Sequence, residues 1–360
     1  MSEEYFIYIK KYEKLEYLGE DESSKFFKIR DKKKGHFFQA KISFREKTNK
    51  TINIKEYVKR EINLMSKIEH PSILKFLGYS PKNFKGKDKS VIVTEYATNG
   101  SLFNMIQFEK QGRAPCGWND TKKLICLYGI ASGMSYLHRH QIIHRDLKTL
   151  NVHLDENFYP KIADFEFSKV DFQQSVGYVI HSDGELKGSQ NYLSPEIWTE
   201  YKYSTASDVY AYGMLIYEII TQNVPFLGIP SYRVMQKVTH NERPEIDNSI
   251  PEAYNELMKL CWCQTIKDRP TFDEILLKLR TDPCFITNNI NETEFQYYIK
   301  YLDDYNLKYE DHHKFFLLNT QKQQISQISH EESNSKNIYW KSSDNKKKNI
   351  HSNKIISNSF

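Results

Sequence analysis

The chain has 360 residues, enough for one large domain with two cores or for two ordinary domains, because single cores stop growing near roughly 250–300 residues. A content of 39% hydrophobic and 27% charged residues indicates a soluble globular protein with some disordered sequence. The formal net charge is +5, and residues 319–360 supply +4 of it through seven lysines and three acidic residues. The rest is nearly neutral, which argues against a nucleic-acid-binding protein, since phosphate-backbone binding needs a basic face.

The cysteines and the apolar runs indicate the compartment. The five cysteines are odd in number and lack the paired spacing of a zinc site, which fits a reducing environment. Residues 1–10 lack the basic start and apolar stretch of a signal peptide. The longest apolar run, near residues 212–220, contains Glu218 and is too short to span a bilayer. We therefore expect a cytoplasmic protein, with the nucleus as the alternative, and no membrane partner.

The first 96 or so residues predict a small β-rich lobe with a single helix. Short β-type runs at 26–30, 36–43 and 90–96 are separated by turns rich in Lys, Gly and Asp. Between them, apolar residues spaced four and three apart predict a helix over residues 54–68, which ends before His70-Pro71.

After residue 100 the pattern becomes helical and predicts a larger, mainly helical lobe. Apolar residues between 124 and 137 line one face of a helix. Residues 208–221 are apolar nearly all round, as in a helix buried inside a domain, so Asp208 at its start needs hydrogen-bond partners. An amphipathic helix begins near Asn291, and residues 319–360 show no periodic pattern and are expected to be disordered. The fold class is thus α+β with two lobes.

The most informative motif is H-R-D-L-K-T-L-N at residues 144–151. It resembles the catalytic loop H-R-D-L-x-x-x-N of eukaryotic protein kinases at every fixed position. In that role Asp146 orients the acceptor hydroxyl and takes its proton, Lys148 reaches the transferring phosphate, and Asn151 coordinates Mg²⁺ through its amide oxygen. Asp164, which opens a D-F pair, resembles the second metal ligand of the family. The resemblance implies the bilobal kinase fold, ATP and Mg²⁺ as cofactors, and proteins as substrates.

Residues of the smaller lobe are similar to the family's nucleotide-binding residues. Lys41 in F-F-Q-A-K resembles the strand lysine that grips the α- and β-phosphates, and Glu61 resembles its partner on the helix. The segment V-I-V-T-E-Y-A resembles the hinge, with Thr94 as the gatekeeper residue and with Glu95 and Ala97 offering backbone groups to adenine.

The resemblance continues to about residue 281. G-S-Q-N-Y-L-S-P-E at 188–196 is similar to the segment that forms the peptide-substrate shelf, and Arg269 in R-P-T-F is expected to pair with Glu196. The K-T-L-N and C-W/R-P-T-F segments most resemble serine/threonine kinases of the tyrosine-kinase-like group. The expected organisation is an N-terminal extension (1–11), a kinase domain (12–281, with lobes 12–97 and 98–281), a helical extension (282–318) and a disordered tail (319–360). The sequence does not indicate an oligomeric state.

Two motifs depart from the family pattern. The phosphate-covering loop reads G-E-D-E-S-S, so that only Gly19 remains of three glycines, and Asp21 places a carboxylate where phosphates bind. The metal-binding motif reads D-F-E, with Glu166 in place of glycine. Glu166 either points to the same side as Asp164 and alters the metal site, or faces solvent or a basic side chain in the activation segment, between Asp164 and Glu196. We favour the second interpretation, because a buried extra carboxylate is costly without a partner.

Three functions are compatible with these observations. The first is an active serine/threonine kinase with reduced activity, favoured by the retained Lys41, Glu61, Asp146, Asn151 and Asp164. The second is a pseudokinase that acts as a binding scaffold, favoured by the two altered motifs. The third is a small-molecule kinase, disfavoured by the intact substrate-shelf segment.

Overall fold

The computed structural model of the chain describes residues 3–21, 23–43, 54–170, 179–180 and 186–308. The side chains of residues 3, 54–57 and 179–180 are not described. The described residues up to Asp303 belong to one compact unit, and residues 304–308, which are helical, belong to a second. The predicted tail at 319–360 lies outside the described residues.

The smaller lobe is built on a five-stranded antiparallel sheet with the order β1-β2-β3-β5-β4. Its strands are β1 (Tyr12–Glu20), β2 (Ser24–Asp31), β3 (Phe37–Ser43), β4 (Phe76–Ser80) and β5 (Val91–Glu95), and helix α1 (Ile54–Met65) follows β3. Strands β2, β3 and β5 and the helix correspond to the predicted elements. Strand β1 was not predicted, because most of its residues are exposed and no alternation of apolar residues marks it.

The N-terminal residues pack against this sheet. Ile7 donates its N–H to the carbonyl of Tyr79 at 2.9 Å, and the Tyr5 hydroxyl donates to the carbonyl of Ser66, just beyond α1, at 3.2 Å. The segment runs parallel to β4, with a bridge between Phe6 and Tyr79, and lies close to Gly78, where an added Cβ would be 2.6 Å from the Tyr5 carbonyl oxygen. Ile7 and Ile9 are buried in the core of the sheet. The segment is therefore part of the lobe's packing.

The larger lobe is mainly helical, as predicted. Its helices are α2 (Leu102–Lys110), α3 (Asp120–Arg139), α4 (Pro195–Glu200), α5 (Thr205–Thr221), α6 (Ser231–Thr239), α7 (Glu252–Cys261) and α8 (Phe272–Thr281). Short strands lie between them: β6 (Ile142–Ile143), β7 (Val152–Leu154), β8 (Pro160–Ile162), β9 (Lys169–Val170), β10 (Val179–Ile180) and β11 (Lys202–Tyr203). The central helix α5 is buried along nearly its whole length, which confirms the prediction from its continuous apolar sequence. The α+β, two-lobed fold class is confirmed.

The helix expected near Asn291 is also present and covers residues 292–308 (α9). The Asn291 side chain accepts the N–H of Glu294 at 3.1 Å, as expected for an N-cap. Phe295, Tyr298 and Leu302 are buried in the main core of the larger lobe. Residues 309–318 of the predicted helical extension lie outside the described residues.

None of the helices in the described part of the chain combines the length and apolar character that crossing a bilayer requires.

Candidate active site

The H-R-D loop is held in place by the central helix. Asp208, in the first turn of α5, accepts the N–H groups of His144 and Arg145, both at 2.9 Å. A third neighbour, His138 Nε2, lies 2.9 Å from the same carboxylate. Asp208 is buried, so these contacts supply the partners that the sequence required of it. They fix the backbone just before Asp146.

Asp146 lies at the centre of a cluster of polar side chains. Its Oδ2 accepts a hydrogen bond from Asn151 Nδ2 at 2.9 Å and lies 2.9 Å from Lys148 Nζ. Its Oδ1 accepts the N–H and the hydroxyl of Ser189, at 2.8 and 3.0 Å. Lys148 in turn donates to the Ser189 hydroxyl at 2.7 Å. A serine hydroxyl therefore sits between a carboxylate and an ammonium group, which is the chemical environment that a hydroxyl acceptor for phosphate needs.

The role of Ser189 in this cluster was not anticipated from the sequence. The preceding Gly188 has a φ of +96°, and an added Cβ there would lie 2.5 Å from the carbonyl oxygen of Arg145. The close approach that only glycine allows brings the two loops together. The available signal was the Gly188-Ser189 pair at the start of the segment that resembles the family's substrate shelf.

Lys41 connects the two lobes through carboxylates. It lies on β3, between β2 and β5, and its Nζ is 2.9 Å from Glu61 Oε1, 2.8 Å from Asp164 Oδ1 and 3.6 Å from Glu166 Oε2. Burial lowers the pKa of the Lys41 amine, but the three carboxylates outweigh it and raise the pKa well above its ordinary value. Lys41 therefore stays charged.

The same cluster changes the pKa of its carboxyl groups in opposite directions. Burial raises the pKa of Glu61 to about 7, although Lys41 acts against this shift. Burial also disfavours the charged form of Asp164, but the nearby Lys41 overcomes it and holds the pKa of Asp164 below its ordinary value. Asp164 is thus kept as an anion, the form that binds a cation.

The two expected metal ligands lie on neighbouring backbone segments. Ala163, next to Asp164, donates its N–H to the carbonyl of Asn151 at 2.8 Å. Because Asn151 Nδ2 donates to Asp146, the side-chain oxygen of Asn151 is the atom left for a cation. One carboxylate and one amide oxygen suit Mg²⁺, which prefers hard oxygen ligands and keeps several waters or phosphate oxygens. Among the described residues, no group of three or more His, Cys, Asp or Glu side chains is arranged to hold a metal ion.

In the altered phosphate-covering loop, the carboxylate of Asp21 accepts hydrogen bonds from neighbouring residues of the same loop. Asp21 Oδ1 accepts the N–H groups of Ser23 and Ser24, at 2.7 and 2.6 Å, and the Ser23 hydroxyl at 3.0 Å. Gly19 retains the glycine-type backbone, with a φ of +143°. Glu22 lies outside the described residues. The Asp21 carboxylate therefore stabilises the turn in place of the missing glycines.

The favoured interpretation of Glu166 was wrong. Its side chain is only 13% exposed and faces the site, where Ser23 Oγ donates to Oε2 at 2.7 Å and Lys41 Nζ lies 3.6 Å away. The physical argument against burial required that no partner be present. Ser23 and Lys41 supply partners, and Glu166 lies on the same side as Asp164, where both carboxylates face Lys41.

The hinge residues lie at the end of β5. Thr94 is buried, and its hydroxyl has no hydrogen-bond partner within the described residues. The backbone N–H of Glu95 donates to the carbonyl of Lys75 at 2.9 Å, so this N–H is not available to a ligand. Ala97 follows β5 and is buried beside Leu74.

The substrate-shelf segment is anchored by two buried carboxylates. Arg269 forms two parallel bonds to Glu196, at 2.7 and 2.8 Å, which confirms the predicted pair. Glu218 on α5 accepts the hydroxyl of Tyr192 and that of Thr149, the latter at 2.8 Å. Through Glu218 the shelf segment and the catalytic loop share one anchor, which the sequence did not reveal.

Comparison with known proteins identifies the family. A family model described as protein tyrosine and serine/threonine kinase matches residues 14–279. The chain belongs to this protein kinase family.

Similar kinases are found in Dictyostelium discoideum. The RGS domain-containing serine/threonine-protein kinase A is 32% identical over 62% of this chain, and a probable LIM domain-containing serine/threonine-protein kinase is 34% identical over 63% of it. The matched regions make up only 18% and 33% of those proteins. The chain therefore spans less than half the length of these curated relatives.

Proposed function

We propose that the chain is an active serine/threonine kinase that transfers the γ-phosphate of ATP to Ser or Thr hydroxyls of protein substrates. The observation that carries this proposal is the intact Lys41–Glu61 ion pair, at 2.9 Å, with Asp164 bonded to the same lysine at 2.8 Å. In protein kinases the lysine–glutamate ion pair and the aspartate that binds Mg²⁺ must both be in place for phosphoryl transfer. The buried site also contains the catalytic-loop side chains in mutual contact.

The proposed catalytic roles follow from this geometry. Asp146 orients the acceptor hydroxyl and takes its proton, and Lys148 stabilises charge on the transferring group. Lys41, held by Glu61, grips the phosphates of ATP. The position of Ser189 between Asp146 and Lys148 supports these roles, since it shows that a hydroxyl fits between the two charged groups.

The proposed cofactor sites use the remaining residues. Asn151 and Asp164 supply oxygen ligands to Mg²⁺, which neutralises phosphate charge when bound. Gly19 belongs to the turn that would cover the phosphates, and the hinge residues Thr94, Glu95 and Ala97 would hold the adenine. For Glu95 the carbonyl is the candidate contact, because its N–H is bonded to another carbonyl.

Serine/threonine specificity and domain organisation are part of the same proposal. Lys148 and the R-P-T-F segment support the tyrosine-kinase-like group of serine/threonine kinases. The names of the relatives support serine/threonine specificity, without reference to a group. The match at 14–279 supports a kinase domain at 12–281, preceded by an extension at 1–11 and followed by extensions at 282–318 and 319–360. A cytoplasmic location is supported by the five cysteines, which are all free.

The pseudokinase remains the second candidate, because one observation favours it. Glu166 places a carboxylate 3.6 Å from the phosphate-gripping Lys41, where it opposes nucleotide binding. Against this, every side chain needed for transfer is present and held in place. An effect on affinity is therefore expected rather than loss of the reaction.

Phosphate transfer from labelled ATP with Mg²⁺, to a generic protein and to the chain itself, tests the proposal. Asp146→Asn is expected to lower transfer by about 100-fold or more, because proton transfer in such reactions contributes roughly 10²–10⁴. Asp247→Asn, at an exposed turn residue, is the matched control and should leave transfer unchanged. Phosphoamino-acid analysis should find phosphoserine or phosphothreonine.

Three outcomes would contradict the proposal. Equal transfer by Asp146→Asn and the natural chain would remove Asp146 from the mechanism. Binding of ATP without transfer would favour the pseudokinase. Phosphotyrosine as the only product would refute the assigned specificity.

A further inference from the structure

The two motifs that depart from the kinase pattern are in direct contact. Ser23, in the turn between β1 and β2, donates its hydroxyl to Glu166 Oε2 at 2.7 Å, although the two residues are 143 positions apart. Ser23 is 9% exposed and the Glu166 side chain 13% exposed, so water competes little for this bond. A charge-assisted hydrogen bond in such a place is among the stronger ones in proteins.

The backbone N–H groups of the turn that carries Ser23 already have hydrogen-bond acceptors in the absence of nucleotide. Turns of this type ordinarily direct backbone N–H groups at phosphate. Here the N–H groups of Ser23 and Ser24 donate to the Asp21 carboxylate at 2.7 and 2.6 Å. The turn thus contains an internal anion in the position of a ligand.

Glu166 joins this turn to the phosphate-gripping lysine. Its Oε2 is 3.6 Å from Lys41 Nζ and also accepts the Ser23 hydroxyl. The carboxylate thus makes two contacts that nucleotide phosphates are expected to make, one to the lysine and one to the covering turn. Phosphates and Glu166 carry the same sign of charge, so they cannot share this space without cost.

We propose that Glu166 is a residue that sets nucleotide affinity, because its contacts with Ser23 and Lys41 compete with the phosphates of the bound nucleotide. The proposal rests on the proposed kinase function for the identity of the ligand. The competition acts on phosphates alone. Binding of Mg²⁺ with a nucleoside triphosphate is therefore weakened, whereas binding of adenosine is not.

Isothermal titration calorimetry of the full chain with two probes tests this inference. The probes are a non-hydrolysable ATP analogue with Mg²⁺ and adenosine, and thermal melting checks that each variant is folded. Ser23→Ala should tighten binding of the analogue about 3- to 10-fold, the range set by the net contribution of a typical intramolecular hydrogen bond, because Glu166 keeps its contact with Lys41 in this variant. Glu166→Gly, which removes both contacts, should tighten it by about tenfold or more. Neither variant should change the Kd of adenosine by more than about twofold.

Two further variants make the test specific. Glu13→Gln removes a negative charge from β1 outside the phosphate-covering loop, at a half-exposed residue paired with Arg30, and should change neither Kd by more than about twofold. In the Glu166→Gly background, Ser23→Ala should add less than about twofold, because its partner is already gone.

The inference is overturned if Ser23→Ala or Glu166→Gly weakens or leaves unchanged the binding of the analogue, or tightens adenosine equally. It is also overturned if neither the natural chain nor Glu166→Gly binds the analogue. Failure of the proposed function has a different signature, since loss of phosphate transfer with the expected affinity changes would refute the kinase activity alone.

Discussion

Replacing Gly78 by alanine tests whether the N-terminal segment is a structural part of the kinase fold. The residue has a φ of +153°, and its added Cβ would lie 2.6 Å from the carbonyl oxygen of Tyr5 and 2.8 Å from Ile7 Cγ2. The backbone oxygen cannot move without moving the segment. The substitution therefore forces either a strained strand β4 or release of the segment.

The expected cost has two parts. The positive φ alone costs about 1–2 kcal/mol for a residue with a Cβ. Release of the segment exposes Ile7, whose burial is worth about 1.5–3 kcal/mol before the entropy of ordering the chain is subtracted. We expect a total of about 3 kcal/mol, which lowers the melting temperature by roughly 6–12 °C in a domain of this size.

Denaturant unfolding separates the backbone cost from the cost of releasing the segment, when each substitution is measured both in the full chain and in a chain lacking residues 1–8. In the full chain Gly78→Ala should cost the total, and in a chain lacking residues 1–8 it should cost only the backbone part of about 1–2 kcal/mol. Gly86→Ala is the matched control, because Gly86 also has a positive φ, +75°, but no atom within 4 Å of its added Cβ. It should cost the same in both chains. Equal costs of Gly78→Ala in the two chains would refute the reasoning.

Two other perturbations test the buried ion pairs. Arg269→Met leaves Glu196 buried without its partner and should lower the free energy of unfolding by about 3–5 kcal/mol; a loss below about 1 kcal/mol in denaturant unfolding would contradict the buried pairing. The second test concerns Glu61, whose pKa is raised to about 7 by burial. Because only ionised Glu61 pairs with Lys41, transfer should fall as the pH drops through about 7. The free energy of unfolding changes with pH in the opposite direction. Because the pKa of Glu61 is higher in the folded state than its ordinary value, the contribution of Glu61 to stability declines as the pH rises from about 4.5 to 7. Glu166→Gln removes a like charge and should move the acidic limb of the pH–rate profile to lower pH, whereas an unchanged or higher midpoint would contradict the assignment.

The sequence predicted best the contacts that lie within motifs of fixed spacing. The pairs Lys41–Glu61 and Glu196–Arg269 could be inferred because each partner belongs to a recognisable segment. The burial of Asp208 followed from the apolar sequence of its helix, since a carboxylate there must have hydrogen-bond partners.

What the sequence could not predict depends on contacts between distant segments. The direction of Glu166 is set by Ser23, 143 residues away, and by Lys41. No local pattern specifies such a partner. The general cost of burying a carboxylate therefore led to the wrong orientation being predicted for Glu166. The docking of residues 3–11 was equally hidden, because it depends on the absence of a side chain at Gly78, in a strand that is itself short and irregular.

The altered motifs together favour a kinase with adjusted nucleotide affinity over a disabled one. A glycine lost from a phosphate-binding turn ordinarily leaves strained backbone and unsatisfied N–H groups. Here Asp21 accepts those N–H groups, and Glu166 is paired with Ser23 and Lys41, so that each added carboxylate has a partner inside the site. Added charges that are satisfied in this way stabilise the nucleotide-free state while Asp146 and its neighbours remain in place. The added carboxylates are expected to weaken the binding of phosphates. The residues that carry out phosphate transfer are retained.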